Sequence, residues 1–344
     1  MSTSLNNLGS SLEERLTDFL WREWSTLGVL GTSAIEAHWI IDPEVLLLLT
    51  SEIARHEARL FDEVLDWLHA NSRWISTQRL RTLHTKYGIG DARVLSAVAR
   101  IMMKHDPPTK WSKLAAGTPL KEKSIEPLFR HGYQALLSTV ENPDPDFAAL
   151  GLIRPIIATR SLSQLVAMKQ PCALTFRLRA LFGLGMRADI LCYLLTHDGA
   201  HPSGVAQALG YSQKRVQDTL IEMAASGLVF IRPSGRIKIY WLDHGQWEEF
   251  LTSKKAPFPA WVNWPLLARG LTTLWRGIWA IGSDQTDDYV ISSKMRTTMR
   301  QAQDDLHASG IDFKLEDDRD HKAEDYLPVF IENIHNILST LRME

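Results

Sequence analysis

Residues 185–242 read GMRADILCYLLTHDGAHPSGVAQALGYSQKRVQDTLIEMAASGLVFIRPSGRIKIYWL, and the changes of period inside this stretch decide the fold. Ile190, Leu191, Leu194 and Leu195 give a first helix its apolar stripe, which His197-Asp-Gly-Ala200 breaks. Val205, Ala206 and Leu209 mark the inward side of a short second helix, and Ala206 is small enough to let another helix approach. Gly210 suits the tight turn that follows because it has no Cβ to clash at positive φ. Ser212 stands where a cap belongs. Val216, Leu220, Met223 and Ala224 then recur at i, i+4, i+7 and i+8, the buried side of a third helix. After Ser226-Gly227 the pattern changes. Leu228–Arg232 and Ile237–Trp241 are rich in β-branched and aromatic residues, and Pro233-Ser-Gly-Arg236 between them carries turn chemistry, so a hairpin is expected.

The outward side of the third helix is Gln213, Lys214, Arg215, Gln217 and Asp218. Glutamine pairs bidentately with adenine, whereas arginine and lysine suit guanine or phosphate. The string from Val205 to Leu242 resembles the winged helix-turn-helix of bacterial regulators of the MarR, ArsR and GntR type. Four marks carry the resemblance: Val205-Ala206, Gly210-x-Ser212, Gly227-Leu-Val229 and Gly235-Arg236. It covers about 60 of the 344 residues. It implies a third helix that reads double-stranded DNA in the major groove and a wing that grips its flank. The implied DNA-binding residues are Ser212, Gln213, Lys214, Arg215 and Gln217 on the helix, with Arg232, Ser234, Arg236 and Lys238 on the wing. Asp218 and Pro233 depart from the pattern. Winged helices also serve as protein-interaction modules, because a fold does not fix a function.

Charge distribution weighs between those readings. Residues 151–260 hold 13 Lys/Arg against 7 Asp/Glu, while residues 1–150 hold 16 against 19 and residues 261–344 hold 9 against 14. A basic middle third between two acidic neighbours is the electrostatic footprint of a nucleic-acid module. Another helix-turn-helix is conceivable at Leu60–Gly88, with Arg79, Arg81, His84 and Lys86 on its second helix. The acidic balance of the first 150 residues argues against strong DNA contact there.

Outward from the module, apolar periodicity predicts helices almost throughout. Leu12, Leu16, Phe19, Leu20 and Trp24 share one face; Asp42-Pro43 is a helix start; Ser76 caps a helix that Gly88 ends; Asp91–Met103 forms another. His105–Glu126, with two adjacent prolines, reads as a connector rather than a regular element, and residues 127–180 read as helical packing. Past Ala256-Pro-Phe-Pro259, Trp264, Trp275 and Trp279 share a helical side with Leu267, Leu271 and Ile278, a core or subunit interface rather than a base-stacking platform. The last helix carries Leu327, Phe330, Ile334, Ile337, Leu338 and Leu341. The expected organisation is a mainly α, multi-domain helical protein with a central winged helix-turn-helix and its short β-hairpin wing. Its parts are an N-terminal helical domain (1–104), a connector and packing segment (105–180), the DNA-binding domain (181–255) and a C-terminal helical domain (256–344).

Other classes find little support. No run approaches the roughly 20 apolar residues of a membrane span, and MSTSLNNLGSSLEERL is not built like a secretory signal, so a cytoplasmic protein is expected. Cys172 and Cys192 form no CxxC pair and sit among apolar residues, where buried thiols are expected. The histidines, His38, His56, His69 and His84 among them, lack metal-site spacing. Glu316–Asp320 lacks the glycine and terminal glutamate of a calcium loop. No P-loop, GxGxxG or GxSxG occurs, so neither an enzyme nor a cofactor is expected. The function these features imply is a bacterial transcriptional regulator that binds duplex DNA as a homodimer. The flanking helices would sense a small-molecule effector or a partner protein. The alternative is an antitoxin-like component of a two-gene module, covering a toxin with its helices and autoregulating through the winged helix.

Overall fold

Capping chemistry and apolar stripes set the first helices of the computed structural model, which describes residues 2–31, 38–117, 125–131, 134–135, 140–157, 160–251, 259–283, 288–316 and 326–342. α1 (Ser2–Thr26) buries Leu12, Leu16, Phe19, Leu20 and Trp24. α2 (Pro43–Ile53) begins where the Asp42 carboxylate accepts from the Val45 amide at 3.2 Å and Pro43 fills the first turn. α3 (Ala58–Asn71) follows. α4 (Thr77–Tyr87) starts at Ser76, whose hydroxyl accepts from the Arg79 amide, and stops at Gly88 in the left-handed conformation. In α5 (Ala92–Met102) the Asp91 carboxylate accepts from the amides of Arg93 and Val94.

The double proline is a helix start, not a break. α6 (Pro108–Ala115) has Pro107 at its cap and Pro108 in its first turn, where a fixed φ and a missing N–H cost nothing. Most of 127–173, by contrast, is not helical among the described residues. It holds the two-residue strands β1 (Glu126–Pro127), β2 (Arg130–His131), β3 (Gln134–Ala135) and β4 (Leu152–Ile153) and the single turn α7 (Pro145–Ala148). β1 pairs with β4 in parallel, and β2 pairs with β3 antiparallel. Buried Asp66 anchors the extended run after them by accepting from the amides of Ser161, Leu162 and Ser163.

Two cores result. The smaller is built by α8 (Leu174–Phe182), α9 (Met186–Leu194), α10 (Pro202–Leu209), α11 (Gln213–Ala225), β6 (Ile237–Trp241) and α12 (His244–Leu251), with Ile40 reaching in from the N-terminal side, while β5 (Phe230–Ser234) is exposed along its length. The larger joins residues from both ends of the chain. α13 (Trp264–Ser283), α14 (Asp288–Ala308) and α15 (Tyr326–Arg342) share it with the N-terminal helices, and α1 packs against α13 and α15. Trp264 and Trp275 are buried in it and Trp279 packs at its edge, as expected for a core helix. Sequence segments 1–104 and 256–344 thus contribute to one apolar cluster. The proline-rich stretch between 252 and 258 lies outside the described residues. The protein is mainly helical with small sheets only, and among the described residues no helix is long and apolar enough to cross a membrane.

Candidate nucleic-acid interface

α9, α10 and α11 pack around Ile190, Leu191, Leu194, Val205, Ala206, Leu209, Val216, Leu220 and Met223, all buried. Gly210, at φ +77°, turns the chain from α10 into α11. Beyond α11, β5 and β6 pair antiparallel from Phe230↔Trp241 to Ser234↔Ile237, leaving Gly235 (φ +61°) and Arg236 as a two-residue turn. β5 therefore continues through Pro233, which by turn chemistry alone belongs to the turn. The reason lies in a contact the sequence did not reveal. Ala200 exchanges both backbone hydrogen bonds with Tyr240, at 2.8 and 2.9 Å, so β6 is the inner strand and β5 the edge. An edge strand tolerates proline. Gly199, at φ +116°, permits this approach, since a Cβ there would stand 2.9 Å from Ile239, Trp241 and the Tyr240 carbonyl.

All nine residues singled out from the sequence are exposed: Ser212, Gln213, Lys214, Arg215 and Gln217 on α11, and Arg232, Ser234, Arg236 and Lys238 on the hairpin. Ser212 occupies the cap position, but its hydroxyl does not bond the α11 amides. Arg232 donates to the Asp198 carbonyl oxygen at 2.8 Å. Lys214, Arg215, Arg236 and Lys238 form no ion pair among the described residues. Arg187, at the start of α9, is instead paired with Glu222. Asp218 lines, with Phe182, Leu184, Arg187, Arg215 and Thr219, an open groove of about 420 Å³ between the α8–α9 turn and α11.

The turn between α10 and α11 is docked on α4. The Arg79 guanidinium donates to the Leu209 carbonyl and the Tyr87 hydroxyl to the Gln207 carbonyl. A Cβ at Gly210 would stand 2.5 Å from a Leu83 methyl. Beneath this contact lies a buried charge network. Arg79 forks onto Asp42 at 2.5 and 2.7 Å and reaches Glu44 at 2.8 Å. Arg179 of α8 forks onto the same Glu44 at 2.7 and 2.8 Å and donates to Asp189 of α9 at 3.0 Å. Tyr211, the residue before Ser212, donates its hydroxyl to the other Asp189 oxygen at 2.5 Å. The Ser76 amide completes the Glu44 shell. Burial alone would raise the Glu44 pKa; the two guanidiniums and the amide overcome it and hold the carboxyl at about 2. A cavity of about 30 Å³ beside these groups has room for one water.

Arg79 is only 3% exposed and committed to this network, so the helix-turn-helix considered at 60–88 is not available to DNA through that residue. Cys172 and Cys192 are buried free thiols, and burial pushes Cys192 up to about 12. The acidic stretch after Glu316 lies outside the described residues. Comparison with protein-family models, curated proteins and solved structures finds no match to this chain.

Proposed function

We propose that residues 185–242 are a winged helix-turn-helix, and that this protein is a cytoplasmic regulator of transcription binding duplex DNA through α11 and the β5–β6 wing. One observation carries this reading: the residues a recognition helix and wing would use are all on the surface, and four of their five cations have no partner among the described residues. An uncommitted cation is what phosphate binding requires, since affinity comes from displacing counterions condensed on DNA. The Ala200–Tyr240 bridge supports it further, because it makes the wing part of the module's sheet rather than a loose hairpin. Gln213, Lys214, Arg215 and Gln217 would meet base edges; Arg232, Ser234, Arg236 and Lys238 would meet phosphate. A homodimer matches two-fold DNA sites, and effector or partner sensing falls to the helical body.

Selection of bound duplexes from a random pool, at stated salt, tests this. A recovered consensus supports it; a bound pool indistinguishable from the input contradicts it.

A second reading has its own support. Ile221, Leu228, Phe230, Ile231 and Ile237 are exposed on the same module, and apolar surface of this kind marks protein contacts. Under that reading the chain is an interaction protein, antitoxin-like, and a stoichiometric second protein copurifies from the native host.

A further inference from the structure

The exposed side of α4 has a composition that packing does not explain. The helix, TQRLRTLHTKY, contains no acidic residue. Arg79, Leu83 and Tyr87, at i, i+4 and i+8, form the stripe that docks on Gln207–Tyr211. The neighbouring stripe, one residue back at each step, is Gln78, Thr82 and Lys86, and all three are exposed. On the far side of the docked stripe Leu80 is buried and His84 bonds the Ile89 carbonyl, whereas Arg81 and Thr85, beyond Gln78 and Thr82, are exposed. Near its far end, Arg269 and Arg276 are already paired, with Asp305 and Glu52. Among the described residues Lys86 pairs with no carboxylate. Its ammonium lies 5.0 Å from the centre of the Tyr87 ring, whose hydroxyl bonds α10.

We infer that α4 extends the DNA interface beyond the winged helix. The Gln78–Thr82–Lys86 stripe contacts the phosphate backbone of the duplex that α11 reads, with Lys86 supplying the charge. This rests on the proposed DNA binding. Its grounds are charge complementarity and continuity: the stripe lies beside the one that docks on the turn from which α11 starts. Amide, hydroxyl and ammonium groups suit phosphate oxygens and carry no sequence information, so the flank would add affinity without changing preference.

The test uses the full chain and a selected duplex, titrated from about 50 to 200 mM salt, the range over which each phosphate contact accounts for roughly a threefold change in affinity. Lys86→Gln is expected to bind more weakly on every sequence, and its loss of affinity across that range to be about threefold smaller than that of the unaltered chain. Lys86→Glu is expected to weaken binding further, and the selected consensus to stay the same. Unaltered salt dependence in both Lys86 variants, with Arg236→Ala still impaired, overturns the α4 contact and leaves the winged-helix reading standing. Unaltered binding in the Lys86 variants and in Arg236→Ala alike, or no binding by the unaltered chain, overturns both. Lys86 is on the surface, and matched unfolding midpoints for the variants establish that the differences are not ones of folding.

Discussion

Two sets of basic side chains in this protein have the same chemistry and opposite surroundings. Arg79 and Arg179 are buried where the helical body meets the module, each forked onto carboxylates from distant parts of the chain. Lys214, Arg215, Arg236 and Lys238 stand exposed with no ion partner among the described residues. A buried guanidinium is costly without its carboxylate, so the first set is bound to the structure. The second set contributes little to folding, because exposed charges are screened by solvent and salt. The difference separates what holds the module in place from what the module offers a partner.

The largest expected effect breaks the buried set. Glu44→Gln removes the carboxylate shared by both arginines and with it their three buried charge-assisted bonds to Glu44, leaving Arg79 on Asp42 and Arg179 on Asp189, so a loss of about 3–5 kcal/mol in unfolding free energy is expected by denaturant titration. A wild-type midpoint in that variant would mean the network is ornamental to stability. Tyr211→Phe deletes only the hydroxyl bond to Asp189, with an expected cost of about 1–3 kcal/mol. Because Tyr211 directly precedes α11, DNA affinity should fall with it; full affinity at reduced stability would uncouple docking from recognition.

Acid should act on the same set. The Glu44 carboxyl has a lower pKa folded than unfolded, so its stabilisation is complete above its ordinary pKa of 4.5 and is lost as pH falls from there towards about 2. Unfolding followed against pH should show this loss in the unaltered chain and less of it in Glu44→Gln. Equal acid sensitivity would assign the transition to other groups. The smallest expected effect concerns the exposed set: Arg215→Ala should change stability by no more than about 0.5 kcal/mol while altering sequence preference at one base pair by about 1–3 kcal/mol.

Much of the local structure is legible in the residues, and most of what joins it is not. The caps at Asp42, Ser76 and Asp91, the turn at Gly210 and the buried side of α11 follow from capping chemistry and 3.6-residue periodicity, which act within a few positions. Candidate residues on the surface of α11 and the hairpin follow from the same pattern by difference. The α4 docking and the charge network do not, since Glu44 and Arg179 meet across 135 residues. Their trace in the sequence is a charged residue set in an apolar helix, Glu44 before Val-Leu-Leu-Leu-Leu or Arg179 in Leu-Thr-Phe-Arg-Leu-Arg-Ala-Leu-Phe. That trace says a partner is needed without saying which. The bridge from Ala200 to Tyr240 is a single residue pair and has no periodicity to detect. Pro107-Pro108 misleads because proline both ends helices and opens them.

On the function proposed above, the exposed cations bind duplex DNA and the buried ones take no part. The most direct test is a salt titration of the full chain on a selected duplex, comparing the unaltered protein with Arg236→Ala. The expected result is weaker binding by the variant on all sequences, with the slope of log affinity against log salt reduced by about one and the unfolding midpoint unchanged. An Arg236→Ala protein that binds DNA with undiminished affinity and the same salt slope would contradict the claim.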